Sequence, residues 1–128
     1  MYLNIIQKCA TRHLFNIQLM KKNGIIPLQI GACKLVVDNN NSAILNNLEI
    51  HDPYKKNGYG SLFIQEIEKS FQLSHNIKEI GLTAWQSDKN YVVDFFKKNG
   101  YQQTNTTIEQ YDDSVTQFDL YNMHKIIK

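Results

Sequence analysis

Apolar and polar residues change their period half-way along this chain. "HLFNIQLM" (His13–Met20) alternates apolar and polar, the pattern of a half-buried strand. "KKNG" (Lys21–Gly24) follows and supplies an Asn-Gly hairpin signal. The next run, "IPLQIGACKLVV" (Ile26–Val37), is strand-like but carries Pro27 near its start and Gly31 inside. Those two residues predict an edge strand or a bulge. "DNNNS" (Asp38–Ser42) reads as a turn, because Asn and Asp tolerate tight backbone conformations. "AILNNLEI" (Ala43–Ile50) is then a third strand, so the first half predicts an antiparallel meander.

From Gly60 to Ser74 the period lengthens. Phe63, Ile64, Ile67 and Phe71 fall on one helical stripe, and Glu66, Glu68 and Lys69 fall off it. "EIGLTAW" (Glu79–Trp85) is a short apolar strand. Ser87 or Asp88 is positioned to cap a second helix, "KNYVVDFFKKNG", with Val92, Phe95 and Phe96 on its inner face and Gly100 as a left-handed stop. The polar and aromatic tail predicts two further strands. The central strand–helix–strand unit implies a parallel crossover within an otherwise antiparallel sheet. The fold class is α+β, one domain spanning residues 1–128, with a mixed, mostly antiparallel sheet and two main helices.

Composition narrows the function classes. The chain has 128 residues, 42% of them apolar, which suits one globular core and excludes disorder. The net charge is +2, with basic residues scattered in pairs (Lys21–Lys22, Lys55–Lys56, Lys97–Lys98) rather than massed in a stripe. That argues against nucleic acid as a partner. No apolar run approaches the ~18 residues that span a bilayer. The N-terminal stretch also lacks a signal-peptide pattern, so the expected site of action is the cytoplasm, away from membranes. Cys9 and Cys33 show no metal or redox spacing and read as buried free thiols. His13, His51, His75 and His124 form no ligand pattern, so no metal is expected.

The segment "LEIHDPYKKNGYGSLF" (Leu48–Phe63) carries the most chemistry. It joins a strand to a helix through two lysines and Gly-Tyr-Gly. A helix N-terminus leaves N–H groups unpaired and bears partial positive charge. Glycines there let an anion approach the backbone. Gly58 and Gly60 are equally compatible with a plain strand-to-helix turn. A P-loop is excluded, since no G-x-x-x-x-G-K-[ST] occurs. The dinucleotide fingerprint fails because Phe63 stands where its third glycine belongs.

"KKNGYG" (Lys55–Gly60) resembles the [Q/R]-x-x-G-x-[G/A] signature of the GNAT superfamily of acetyl-CoA-dependent N-acetyltransferases, with Lys in place of Gln or Arg. "NYVVDFFKKNGY" (Asn90–Tyr101) is similar to that superfamily's second motif, in the form found in histone-type members. The two motifs and the strand between them cover about 43–101. The resemblance implies acetyl-CoA as co-substrate and direct acetyl transfer to a primary amine of a protein or small molecule. It implies that the strand ending at Ile50 splays from the strand Ile80–Trp85. Pantetheine would then pair with the backbone of Leu48 and Ile50, and the pyrophosphate would rest on the turn of Lys55, Lys56, Asn57, Gly58, Tyr59, Gly60 and Ser61. Asn90 and the Phe95–Phe96 wall would flank the thioester.

Three departures from the family pattern bear on activity. The two helices that usually follow the first strand are missing or very short, so the acceptor side is open, completed by a second subunit, or shaped for a macromolecule. Phe96 occupies the position of a proton-donating Tyr, as in histone-type members. Ile44 occupies the position of their Glu base. The nearest ionisable groups are Glu49 and His51, which by alternation share a face with Asn47, opposite Leu48 and Ile50. They are the candidate catalytic residues, and Tyr91, Tyr111 and Tyr121 are candidates for a proton relay. The competing expectation is a non-catalytic module of the same fold that binds CoA or a protein partner. Pairing of the Ile26–Val37 edge between subunits would give a homodimer.

Overall fold

The computed structural model describes residues 1–9, 12–86, 92–104, 109–112 and 117–128. Eight strands form one mixed sheet beside two helices. The strands are β1 (Tyr2–Cys9), β2 (Arg12–Asn23), β3 (Ile26–Val37), β4 (Ser42–Ile50), β5 (Glu79–Gln86), β6 (Gln102–Gln103), β7 (Glu109–Asp112) and β8 (Gln117–Ile126). The helices are α1 (Tyr59–His75) and α2 (Val92–Lys98). The spatial order is β1-β2-β3-β4-β5-β8-β6, with β7 also paired to β8. β4 and β5 are parallel, as the crossover through α1 requires, and the other pairs are antiparallel.

The predicted α+β class stands, with refinements. β1 is an additional N-terminal strand, because "YLNIIQKC" has no clean alternation to reveal it. Only residues 10 and 11 separate β1 from β2, which agrees with the expected loss of the two usual helices. Among the described residues the tail holds three strands rather than two. The proposed caps Ser87 and Asp88 lie outside the described residues. Within α2 the buried positions are Val93 and Phe96, while Val92 and Phe95 are half-buried.

The turns follow their local chemistry. Gly24 adopts φ +64° in the β2–β3 hairpin. Asp38 Oδ1 accepts from the amides of Asn40 (2.8 Å) and Ser42 (3.0 Å), and Asn41 takes a left-handed conformation. β3 is not an edge: β2 and β4 flank it, so it is unavailable for pairing between subunits. Pro27 is tolerated because β4 pairs with β3 only from Gly31 onward, beyond the proline. The predicted bulge is real, with the register shifting between Leu19 and Met20 where Gly31 and Gln29 are their partners.

The core lies between one face of the sheet and the helices. Phe15, Ile17 and Leu19 of β2 and Ile30, Leu35 and Val37 of β3 meet Phe63, Ile64, Ile67 and Phe71 of α1. Phe15 packs edge-on against Phe71 at 5.1 Å. Burying such aliphatic and aromatic side chains stabilises by roughly 1.5–3 kcal/mol each before chain entropy is charged. The helices also touch one another, which matters for the site.

A cleft between two parting strands and a helix N-terminus

β4 and β5 pair only from Ser42↔Glu79 to Leu45↔Leu82. Beyond Leu45 they separate, and the cause is on β4. Between the pairs Lys34↔Asn46 and Ala32↔Glu49, β4 spends two residues, Asn47 and Leu48, where β3 spends one, Cys33. This is a β-bulge, and Asn47 carries its strain with φ +57°. A bulge bends its strand and leaves a residue outside the ladder. The bend turns the end of β4 away from β5.

The resulting gap is a cavity of about 420 Å³ lined on one side by Leu45, Asn46, Asn47 and Leu48, on the other by Leu82, Thr83 and Ala84, and capped by Val92 and Phe96. Leu48 and Val92 also line a second cavity of about 430 Å³, so the two adjoin. That second cavity reaches Lys55, Lys56 and the Gly58–Ser61 start of α1.

The start of α1 is a helix N-terminus beside two lysines. Gly58 is the N-cap, with φ +78° and ψ +4°, and no side chain caps the helix. The first amides of the helix therefore have no intrahelical acceptor. Lys56 is left-handed at φ +64°, a conformation that costs a non-glycine residue roughly 1 kcal/mol. Asn57 Nδ2 donates to the carbonyls of Tyr54 (3.3 Å) and Lys55 (3.0 Å), so its side chain braces the turn rather than facing the cavity. Lys55 pairs with Asp52 at 2.8 Å. Their mutual hydrogen bond lowers the Asp52 pKa and raises that of Lys55, and both side chains are exposed to solvent. Tyr59 lines the cavity and meets Tyr54 edge-on at 6.4 Å.

The two glycines have different reasons to be glycine. A Cβ on Gly58 would meet nothing; the residue is needed for its positive φ. A Cβ on Gly60 would lie 3.1 Å from Phe95 Cε2 and 3.2 Å from Cζ. Gly60 makes room for Phe95, the aromatic wall that lines the same cavity.

The catalytic expectations change more. The bulge breaks the alternation on which Glu49 and His51 were matched with Asn47. Register now puts Asn46 and Glu49 on one face, opposite Lys34 and Ala32. Glu49 lines the second cavity and shares a third, of about 370 Å³, with His51, Asp52 and Lys55; neither Glu49 nor His51 lines the gap between β4 and β5. None of the described residues that line that gap is ionisable. Phe96 lines it, as expected, and Ile44 is 54% exposed beside Gly81. Tyr121 is half-buried against the core rather than in the gap. Asn90 and Tyr91 lie outside the described residues, as do the side chains of Trp85 and Tyr111. Among the described residues no group of three potential metal ligands occurs, and no helix is long and apolar enough to cross a membrane.

Three polar residues that the sequence pattern did not single out are linked to the start of α1 through the Asn99–Ser61 contact. Glu68 and Asn99 are buried polar residues, and Lys125 lies at the other end of the chain. Lys125 Nζ contacts both Glu68 oxygens (2.6 and 3.2 Å) and the Asn99 carbonyl (2.9 Å). Tyr101 lies behind Phe96, its ring 5.6 Å away. Burial, and then the Glu68 charge, raise its pKa. The one available signal for these residues was Glu68 falling beside an otherwise apolar stripe.

No protein-family model matches the sequence, and no curated protein matches it. Solved structures do match in shape. Spermidine N-acetyltransferase from Vibrio cholerae, in complex with CoA and spermine, superposes with a TM-score of 0.75 over 92% of this chain and 68% of that one, at 14% identity. The ribosomal-protein-S18-alanine N-acetyltransferase from Escherichia coli gives 0.70 over 95% and 73%, at 15% identity. IAA acetyltransferase from Bacillus cereus gives 0.69 over 89% and 78%, at 10% identity.

The chain has the GNAT fold.

At such identities the likeness concerns the fold. Within the GNAT fold, the bulged β4, the gap beside β5 and the uncapped start of α1 form one cleft.

Proposed function

We propose that this chain, acting as a single domain of residues 1–128 in the cytoplasm, is an acetyl-CoA-dependent N-acetyltransferase that transfers acetyl directly to a primary amine of a protein or small molecule. The observation that carries the reading is the adjacency of two cavities that share Leu48 and Val92: a gap between parted strands, and a pocket at an uncapped helix start beside Lys55 and Lys56. Pantetheine is slender, mostly apolar and carries amides. Pyrophosphate is a compact dianion. The two ends of the cleft suit the two ends of that molecule.

Acetyl-CoA would supply the acetyl group as a thioester. The backbone of Leu48 and Ile50 would orient the pantetheine arm, extending the sheet where β5 has turned away. The amides of Gly58, Tyr59, Gly60 and Ser61, with Lys55 and Lys56, would hold the pyrophosphate. The bulge at Asn47–Leu48 leaves backbone outside the ladder, and an N–H there would polarise the thioester carbonyl. Phe95 and Phe96 would exclude water from the reacting end. As the amine nitrogen bonds to the acetyl carbon, the C–S bond would break and CoA would leave as its thiolate; since no described ionisable group lines the gap, the proton shed by the amine would pass to solvent, and solvent would protonate the thiolate.

A second reading, a non-catalytic module that binds CoA or a protein partner, is favoured by the same lack of an ionisable lining group and by Phe96. Incubation with radiolabelled acetyl-CoA and a panel of amines and proteins separates the two. Transfer to an amine is expected. Tight CoA binding in calorimetry without transfer to any acceptor would replace the first reading with the second.

A further inference from the structure

Ser61 lines the cavity at the third position of α1, where a hydroxyl can face an anion. Among the described residues its hydroxyl has one partner, Asn99 Nδ2 at 3.1 Å. The same Nδ2 donates to the Phe95 carbonyl at 2.9 Å. A backbone carbonyl can only accept, so the Phe95 contact fixes which end of the Asn99 amide carries the hydrogens. The second hydrogen then points at Ser61, and Ser61 Oγ must accept it. Its own proton is left to donate elsewhere.

Asn99 is itself held. Its side chain is buried, with the residue 8% exposed. Its backbone carbonyl accepts from Lys125 Nζ at 2.9 Å, and Lys125 is fixed by buried Glu68 at 2.6 Å. Glu68 and Ser61 stand seven residues apart on α1, hence on one helix face. α1 therefore grips the end of α2 at two points, with Asn99 between them.

We propose that Asn99 is a positioning residue for the anion end of the cleft: by occupying the acceptor side of Ser61 Oγ, it turns the Ser61 proton toward a bound pyrophosphate. This inference rests on the reading of the cavity as a CoA site. Asn99 does not touch the ligand; it acts through Ser61. Two motifs far apart in sequence, the glycine turn and the end of the second helix, become one binding device.

The test is a double-mutant cycle read with two ligands, CoA and pantetheine, the second lacking the pyrophosphate. Ser61→Ala and Asn99→Ala should each weaken CoA binding roughly ten- to a hundredfold, the size of one hydrogen bond to a charged group. The double variant should be no weaker than Ser61→Ala alone. Asn99→Asp, isosteric but unable to donate, should draw the Ser61 proton inward and weaken CoA binding more than Asn99→Ala does. Should Asn99→Ala fail to fold, Asn99→Asp carries the cycle. Pantetheine affinity should stay unchanged throughout. Additive losses for CoA, or equal losses for both ligands, would overturn the inference while leaving the site reading intact. If the unmodified protein binds no CoA, the site reading falls first and the inference with it.

Discussion

The two ends of the cleft are made differently. At the helix start, a glycine N-cap, a left-handed lysine, an asparagine brace and a buried network behind Asn99 all serve one geometry. At the strand gap, one bulge opens the space, and the described walls are Leu, Ala, Val and Phe with Asn and Thr at the edges. On the proposed reading, the difference teaches that holding an anion requires several groups set in advance, whereas attack by an amine on a thioester would proceed with backbone and solvent. The anion end should therefore be sensitive to substitution in many places, and the gap end in few.

The largest test removes the support behind the anion end. Lys125→Met leaves Glu68 buried without its cation and should cost about 3 kcal/mol of stability, measured by denaturant unfolding. A Glu68→Leu, Lys125→Met double variant should recover most of that loss, since an apolar pair leaves no stranded charge. If the single variant is as stable as the parent, the network is not holding the helices.

The glycines give a smaller and sharper contrast. Gly58→Ala should cost about 1 kcal/mol through its positive φ, with no clash. Gly60→Ala should leave stability nearer the parent but push Phe95 by a few tenths of an ångström, weakening CoA binding through the wall it forms. Equal stability losses and unchanged CoA affinity in both would show that the two glycines do the same job.

At the other end, Glu49→Gln and His51→Ala should change turnover less than about twofold, because neither lines the gap. A hundredfold loss of kcat in either, with CoA affinity retained, would move the chemistry to that end of β4.

The last test concerns Cys33, opposite the bulge, and shows only at high pH. Burial pushes its thiol up to about 12, from an unfolded value of 9.0. Below pH 9 the thiol is neutral in both states and its contribution to stability is complete. Between 9 and 12 the unfolded chain ionises first, so the contribution is lost as pH rises. Comparing Cys33→Ala with the parent, unfolding free energies should converge or cross over that window. In a Cys9→Ser background, Cys33 should also resist alkylation at pH 8 until the protein is unfolded.

Much of the fold was legible because its signals are local. The period change near Gly60, the Asn-Gly and Asp-Asn turns and the left-handed Gly100 each depend on a few adjacent residues. β1 escaped because both its faces carry apolar residues, so its period is blurred. The edge assigned to β3 failed because proline forbids a ladder bond only where a partner strand is present, and sequence does not say how far β4 reaches.

The site divides in the same way. Sequence alone determined the glycine turn, the lysines, the Phe95–Phe96 wall and the order of strands and helices that brings them together, since each is written in contiguous residues. Tertiary structure decided which way those residues act. It placed the bulge that opens β4 and moved Asn46, rather than Asn47, to the face of Glu49. It set Phe95 against Gly60 and joined Ser61, Glu68, Asn99 and Lys125 across 64 residues of chain. The physical reason is that a bulge or a buried hydrogen bond is fixed by partners across the sheet and core, and their identity enters only when the chain has folded.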